Sequence, residues 1–259
     1  MKKKEKKFKS HSCDFSFRHY QEILELFKKQ NYKFCFFPER PTKKIKRVYP
    51  PKFCGAKLRR VYLRHDVDLS LEKALQLARI ENRARVRSAY FIRLSAPFYN
   101  IFDPANLEII KEINNLGHRI GLHYEGDITN KMTIEREVSR QIQILRSYFK
   151  VGNVVSFHRP SKFVLGREFG EFVSTYQSEF FKKIKYLSDS KGNWREGCIC
   201  QWLKSDSPPK NLQVLLHPIW WGRKERDANL HLQQWLREKF KYLDQQLYRD
   251  SEPYKKKLF

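Results

Sequence analysis

Four short segments constrain this chain more than anything else in it. They are Arg64-His65-Asp66-Val67-Asp68, Gly121-Leu122-His123-Tyr124-Glu125, Ser156-Phe157-His158-Arg159-Pro160 and Leu215-Leu216-His217-Pro218. Each is led by apolar or β-branched residues and carries a His or Asp where a buried strand should end. Five of the eight histidines (His65, His118, His123, His158, His217) lie in or beside these segments. Metal ligands and acid–base groups gathered at successive strand ends are how an α/β barrel builds a metal-dependent active site.

The intervening sequence supports alternating helices and strands. Tyr20, Ile23, Leu24 and Phe27 recur at helical spacing after Ser16, and Leu71, Ala74, Leu75 and Ala78 do so after Ser70. Asp103-Pro104 predicts a helix start, with Leu107, Ile110 and Ile113 on one face and Gly117 closing it in a left-handed conformation. Ile134, Val138, Ile142 and Leu145 predict a longer helix, and Leu232, Leu236, Phe240, Leu243 and Leu247 a closing amphipathic one. Strands are expected at 33–37, 60–64, 88–94, 118–123, 154–157, 186–188, 198–202 and 213–216. This order argues for a parallel, wound α/β architecture in one domain over 15–259, preceded by a basic tail at 1–14. The Pro-, Lys- and Gly-rich stretch at about 38–58 reads as a basic loop or insertion.

The net charge is +25, of which residues 1–60 supply +14 from 19 Lys/Arg against 5 Asp/Glu. The excess lies apart from the His motifs. It fits a solvated tail and loop, or attraction to an anionic partner such as a phosphate-bearing substrate, acidic lipid or nucleic acid. No apolar run of signal-peptide or membrane-spanning length follows MKKKEKK, so a cytoplasmic protein without a transmembrane segment is expected. The five cysteines (Cys13, Cys35, Cys54, Cys198, Cys200) form no CxxC pair. Cys198-Ile199-Cys200 has the alternation of a strand and a poor spacing for a zinc knuckle, so reduced thiols are expected.

Asp66 and Asp68 would crowd like charges on one face if the strand continued. That is tolerable when a cation lies between them or when one acts as a base. Asp at a strand end can equally cap the next helix, and Ser70 follows. A single His at the end of an apolar run is as well explained as a satisfied core residue. The case for chemistry lies in the recurrence of such ends through one chain.

With these residues in view, the chain resembles the polysaccharide deacetylases of carbohydrate esterase family 4, closest to a divergent branch with an RHDVD motif. The resemblance runs from about Phe15 to the end. It rests on Arg64–Asp68, Ala89-Tyr90-Phe91, Gly117–Tyr124, Phe157–Pro160, Tyr186-Leu187-Ser188-Asp189-Ser190 with Trp194, and Leu215–Trp221. It implies a distorted (β/α) barrel that removes N- or O-acetyl groups with one divalent metal, here expected to be Zn2+. By position, Asp66 resembles the general base, Arg159 the arginine that orients it, and His217 the general acid. Asp68 and His123 resemble metal ligands. Tyr124, Trp194, Trp220 and Trp221 resemble the substrate-binding aromatics. The family's second ligand histidine falls here on Asp127. The third ligand is therefore either Asp127 or His158, and His158 is favoured as a strong imidazole ligand at a strand end.

The expected activity is removal of an N-acetyl group from a sugar in glycan or glycoconjugate biosynthesis, on an N-acetylated sugar whose carrier can bear phosphate. The alternatives are hydrolysis of another C–N bond on the same fold, a metal-free relic, or a non-catalytic basic module for acidic glycan or nucleic acid.

Overall fold

The computed structural model describes residues 13–39, 58–126, 129–224 and 226–254. The basic residues 1–12, most of the 38–58 loop, and Asp127 lie outside them. The elements run α1 (Phe17–Lys29), β1 (Tyr32–Phe34), β2 (Arg59–Val67), α2 (Leu71–Arg83), β3 (Ala89–Ile92), α3 (Pro104–Asn115), β4 (Arg119–Tyr124), α4 (Lys131–Arg146), β5 (Val151–Phe157), β6 (Val173–Ser174), α5 (Ser178–Phe181), β7 (Lys185–Ser188), α6 (Ile199–Lys204), β8 (Asn211–Leu216) and α7 (Ala228–Asp250). The strands form one sheet in the order β6-β5-β4-β3-β2-β8-β7, with β1 also paired to β2. Every pairing is parallel. The path is open between β6 and β7, so the architecture is a distorted (β/α) barrel, as the resemblance implies.

Local chemistry explains the helix starts. Ser16 Oγ accepts from His19 N at 3.0 Å and Ser70 Oγ from Lys73 N at 3.2 Å. Asp103 caps Ala105 N at 2.9 Å ahead of Pro104, and Gly117 sits at φ +91° just past the end of α3. The apolar stripes of α1 to α4 are buried as their periodicity requires.

β2 shows how the sheet sorts side chains. Successive residues face opposite sides of a strand. Leu63, His65 and Val67 point outward to the helices. Tyr62, Arg64 and Asp66 point into the barrel, where Tyr62 packs with Phe37, Phe91 and Phe180. Gly121 lets β4 approach closely, since a Cβ there would lie 2.6 Å from the Phe91 ring and 2.9 Å from the Val154 carbonyl oxygen. The register with β5 shifts at this point.

Two expectations are corrected. Residues 198–202 are not a strand: Cys198 precedes α6, which buries Ile199, Cys200 and Leu203 at helical spacing. α7 forms where expected, but Leu236, Phe240, Leu243 and Leu247 are about half exposed, because the barrel seats only its first part through Ala228, His231 and Trp235. No described helix is long and apolar enough to cross a membrane.

Candidate active site

Five parallel strands bring their C-terminal ends to one place. β2 delivers Asp66 and, just beyond its end, Asp68. β4 delivers His123, and the residues following β5, β7 and β8 are His158, Asp189 and His217. His123 Nε2 lies 2.9 Å from Asp68 Oδ1 and 3.9 Å from Asp66 Oδ2. His158 Nε2 is 3.8 Å from Asp68 Oδ1, and His217 Nε2 is 3.8 Å from Asp68 Oδ2. The carboxylate of Asp68 is therefore ringed by three imidazoles.

The outer nitrogens of those rings are anchored. His123 Nδ1 faces the Ser156 carbonyl at 3.1 Å, which can only accept, so Nδ1 carries the proton. His158 Nδ1 donates to Glu125 Oε1 at 2.9 Å, and Arg93 pairs with the other oxygen of Glu125. Both neutral rings then aim an Nε2 lone pair at the oxygens of Asp68. Acceptors facing acceptors at this distance call for a positive charge between them, a proton or a metal ion. Asp68, His123 and His158 offer ligand atoms all within 4.8 Å of one another. Two imidazoles and a carboxylate, each imidazole held by an acceptor behind it, suit a divalent ion such as zinc.

Asp66 is deeper, with 2 % of its surface exposed. Its Oδ2 accepts from Ser156 Oγ at 2.8 Å and lies 3.6 Å from Arg64 Nη2. Its Oδ1 is buried with no hydrogen-bond partner among the described residues. Arg64 is fully buried, donates to Thr175 and lies 4.6 Å over the Tyr176 ring.

His217 Nδ1 donates to Asp189 Oδ1 at 2.6 Å, and its backbone N–H reaches the same carboxylate at 3.0 Å. Trp221 Nε1 donates to Asp189 Oδ2 at 3.0 Å. Burial opposes charge on the His217 ring, but the Asp189 carboxylate, aided by Asp68 and Asp66, outweighs it and lifts His217 to about 9. Burial likewise opposes charge on His123, and Asp66 and Asp68 overcome it, so its pKa is raised. At Asp68 the neighbouring imidazoles, His123 foremost, outweigh burial and hold the carboxyl well below the usual range.

The structure thus gathers Asp66, Asp68, His123, His158 and His217. It does not bring Arg159 to Asp66. Arg159 is exposed at φ 51°, just after its strand ends, and the guanidinium beside Asp66 is that of Arg64. Tyr124 is buried against Phe157, and Trp221 is fully buried with its N–H committed to Asp189, so as placed neither offers a ring face to a substrate. Trp194 and Trp220 are half-buried. His65 and His118 lie outside the site, in a buried network around Glu81.

Sequence reasoning missed Arg64, Ser156, Glu125 and Asp189 as site residues, although all four lie within motifs it quoted or directly beside them. A period-2 reading of Arg64-His65-Asp66 would have put the arginine on the same face as the base. A cleft of about 720 Å³ runs along α2, the start of α3 and α7, lined by Ser70, Lys73, Tyr99, Arg223 and Trp235 among others, and none of the gathered Asp and His residues lines it.

No protein-family model and no curated protein matches the chain. Among solved structures it is similar to a family 4 carbohydrate esterase from Bacillus anthracis, at 14 % identity over 83 % of this chain and 84 % of that one, with a TM-score of 0.39. It is also similar to the chitin deacetylase from the fungal pathogen Colletotrichum lindemuthianum (16 % identity, 69 % and 81 % covered, TM-score 0.42). A third is a CE4 family pseudoenzyme from Bacillus anthracis (13 % identity, 69 % and 60 % covered, TM-score 0.40). The described strands form a distorted parallel (β/α) barrel, and the solved structures similar to the chain include an esterase, a deacetylase and a pseudoenzyme alike.

Proposed function

We propose that the chain is a metal-dependent hydrolase that removes an N-acetyl group from a sugar. The observation that carries this reading is the aim of the His123 and His158 lone pairs at Asp68, with an Asp66 oxygen beside them that has no hydrogen-bond partner among the described residues. Asp68, His123 and His158 would hold the divalent ion, with zinc the natural choice for this donor set. When bound, such an ion supplies Lewis-acid polarisation of an acetyl carbonyl and a lowered pKa for water.

The remaining work falls to side chains of the chain itself. Asp66 would take the proton of the attacking water on Oδ1, while Ser156 and Arg64 hold Oδ2 and fix the plane of the carboxylate. His217, protonated through neutrality because Asp189 stands behind it, would give its Nε2 proton to the departing amine. The half-buried Trp194 and Trp220 are the aromatic surfaces left to meet a sugar ring. A basic surface for a phosphate-bearing carrier would rest on residues 1–60, of whose 19 Lys/Arg 13 lie outside the described part.

The test is acetate release from N-acetylated oligosaccharides by zinc-loaded protein, with metal counted per chain. Asp66→Asn should keep its metal and lose about 10²–10⁴ in rate. Loss of metal from that variant would mean the roles of Asp66 and Asp68 are exchanged. Absence of any metal in His123-dependent stoichiometry would leave the binding-module reading in its place.

A further inference from the structure

A second cluster of metal-ligating atoms lies away from the active site. Cys13 precedes α1, His19 sits in the first turn of α1, Cys198 precedes α6 and Cys200 lies in its first turn. Their ligand atoms all fall within 4.8 Å of one another. Cys13 Sγ is 3.4 Å from Cys200 Sγ, and His19 Nε2 is 3.2 Å from Cys198 Sγ. Tetrahedral zinc with bonds of about 2.3 Å to sulfur and about 2.0 Å to nitrogen sets its ligand atoms roughly 3.5–3.8 Å apart. A disulfide needs about 2.05 Å, so the thiols are gathered without being bonded in pairs. We propose that Cys13, His19, Cys198 and Cys200 form a closed, structural Cys3His zinc site.

The surroundings fit that role. His19 and Cys198 are buried, at 6 % and 2 % exposure, and Cys200 is buried at 5 %. His19 Nδ1 faces Glu22 Oε2 at 3.5 Å, a carboxylate on the far side of the ring that favours the tautomer with Nε2 free for a metal. Binding zinc would release the thiol protons, and three thiolates around Zn2+ leave a net charge of −1, which the nearby Lys204 offsets.

The site would tie together parts of the chain 187 residues apart. Its N-terminal half leads into Phe15–Phe17, which pairs with Gly222 through Phe17 N to Gly222 O at 2.6 Å and Gly222 N to Phe15 O at 2.9 Å. The Phe15 ring packs edge-on to Trp221 at 5.3 Å, and Trp221 holds Asp189 behind His217. The zinc would thus secure the segment that backs the candidate general acid, without touching substrate.

The proposal is independent of the active-site reading, and cobalt distinguishes them. Full-length chain, purified reduced, stripped and loaded with Co2+, should bind two ions and show thiolate-to-cobalt charge transfer with tetrahedral d–d bands. Oxygen and nitrogen ligands alone cannot produce that charge transfer. Cys200→Ser and Cys13→Ser should lose the charge-transfer band and one ion. His123→Ala should lose the other ion and keep the band, and Cys35→Ser should change neither. The wild-type spectrum needs no variant, so a misfolded mutant does not spare the proposal. No thiolate band in wild type, a band that survives Cys200→Ser, or a Cys13–Cys200 disulfide in the unreduced protein would each overturn it. One ion with the band present would count against the active-site metal alone.

Discussion

Glu81 is the buried charge on which the barrel wall behind the site depends. It is fully buried in α2 and accepts from His65 Nε2 at 2.6 Å, Ser88 Oγ at 2.6 Å and Tyr90 OH at 2.9 Å, with Tyr20 OH a further donor. His118 Nε2 donates to the Ala78 carbonyl at 3.1 Å, so its Nδ1 is an acceptor that takes the Ser88 backbone N–H at 3.3 Å. Burial alone would raise the Glu81 pKa. The His65 charge and hydrogen bond, followed by His118 and Ser88, outweigh it and bring Glu81 from 4.5 to about 2. Because the folded value lies below the unfolded one, the stabilisation is fully present above pH 4.5 and is lost as pH falls toward about 2. At about 1.4 kcal/mol per pH unit, the linkage is on the order of 3 kcal/mol. Glu81→Gln removes that term and leaves His65 facing an amide, so a loss of about 3–5 kcal/mol at pH 7 is expected. Against a typical domain stability of about 5–15 kcal/mol, that is a large fraction. Urea unfolding of both proteins at pH 7 and pH 3, with the same slope on denaturant, is the assay. The difference between them should shrink as the acid takes over. A loss under about 1 kcal/mol at pH 7, or a gap unchanged at low pH, would refute the picture of an ionised, fully satisfied Glu81.

Other outcomes follow from the site. His158→Ala should weaken metal binding at the active site by well over tenfold in a chelator competition; unchanged affinity would transfer the third-ligand role to Asp127. In metal-depleted protein, the His217 ring should titrate in NMR spectra at about 9, and Asp189→Asn should bring it down toward 6.5, since the carboxylate that favours the charged ring is gone. A His217 titration unmoved by Asp189→Asn would mean the 2.6 Å contact is not a charged hydrogen bond. Arg64→Gln should slow turnover by about 10²-fold through misplacement of Asp66, while Arg159→Ala should leave it within about twofold. The reverse pattern would restore Arg159 to the catalytic role that its motif suggests.

The alternation of apolar and polar residues was enough to place most strands, and caps such as Ser16, Ser70 and Asp103-Pro104 were enough to start the helices. These are local properties: a strand has period 2, and a helix N-terminus needs an acceptor within three residues. The polar strand ends were legible for the same reason. An Asp or His that interrupts an apolar run at its C-terminal end is exposed to the barrel mouth wherever the strand lies in the sheet. Hence the strand pattern by itself nominates Asp66, Asp68, His123, His158 and His217. α6 was misread because Cys198-Ile199-Cys200 alternates like a strand over three residues, too few to separate period 2 from period 3.6.

What local pattern cannot encode is which side chain stands behind another. Arg64 rather than Arg159 faces Asp66 because β2 projects alternate residues into the barrel, whereas the chain turns outward after Phe157. Asp189 backs His217 because β7 and β8 are neighbours in the sheet, a fact of strand order. The same holds for His65, His118 and Glu81, whose pairing depends on how α2 lies on β2 and β3. It holds most of all for the cysteines, whose spacing along the chain hides a cluster assembled from segments 187 residues apart. The sequence alone determined most of the elements and the polar groups at their ends, because those follow from interactions over a few residues. Only the tertiary structure decided their partners, because pairing between residues tens to hundreds of positions apart is set by the winding of the sheet.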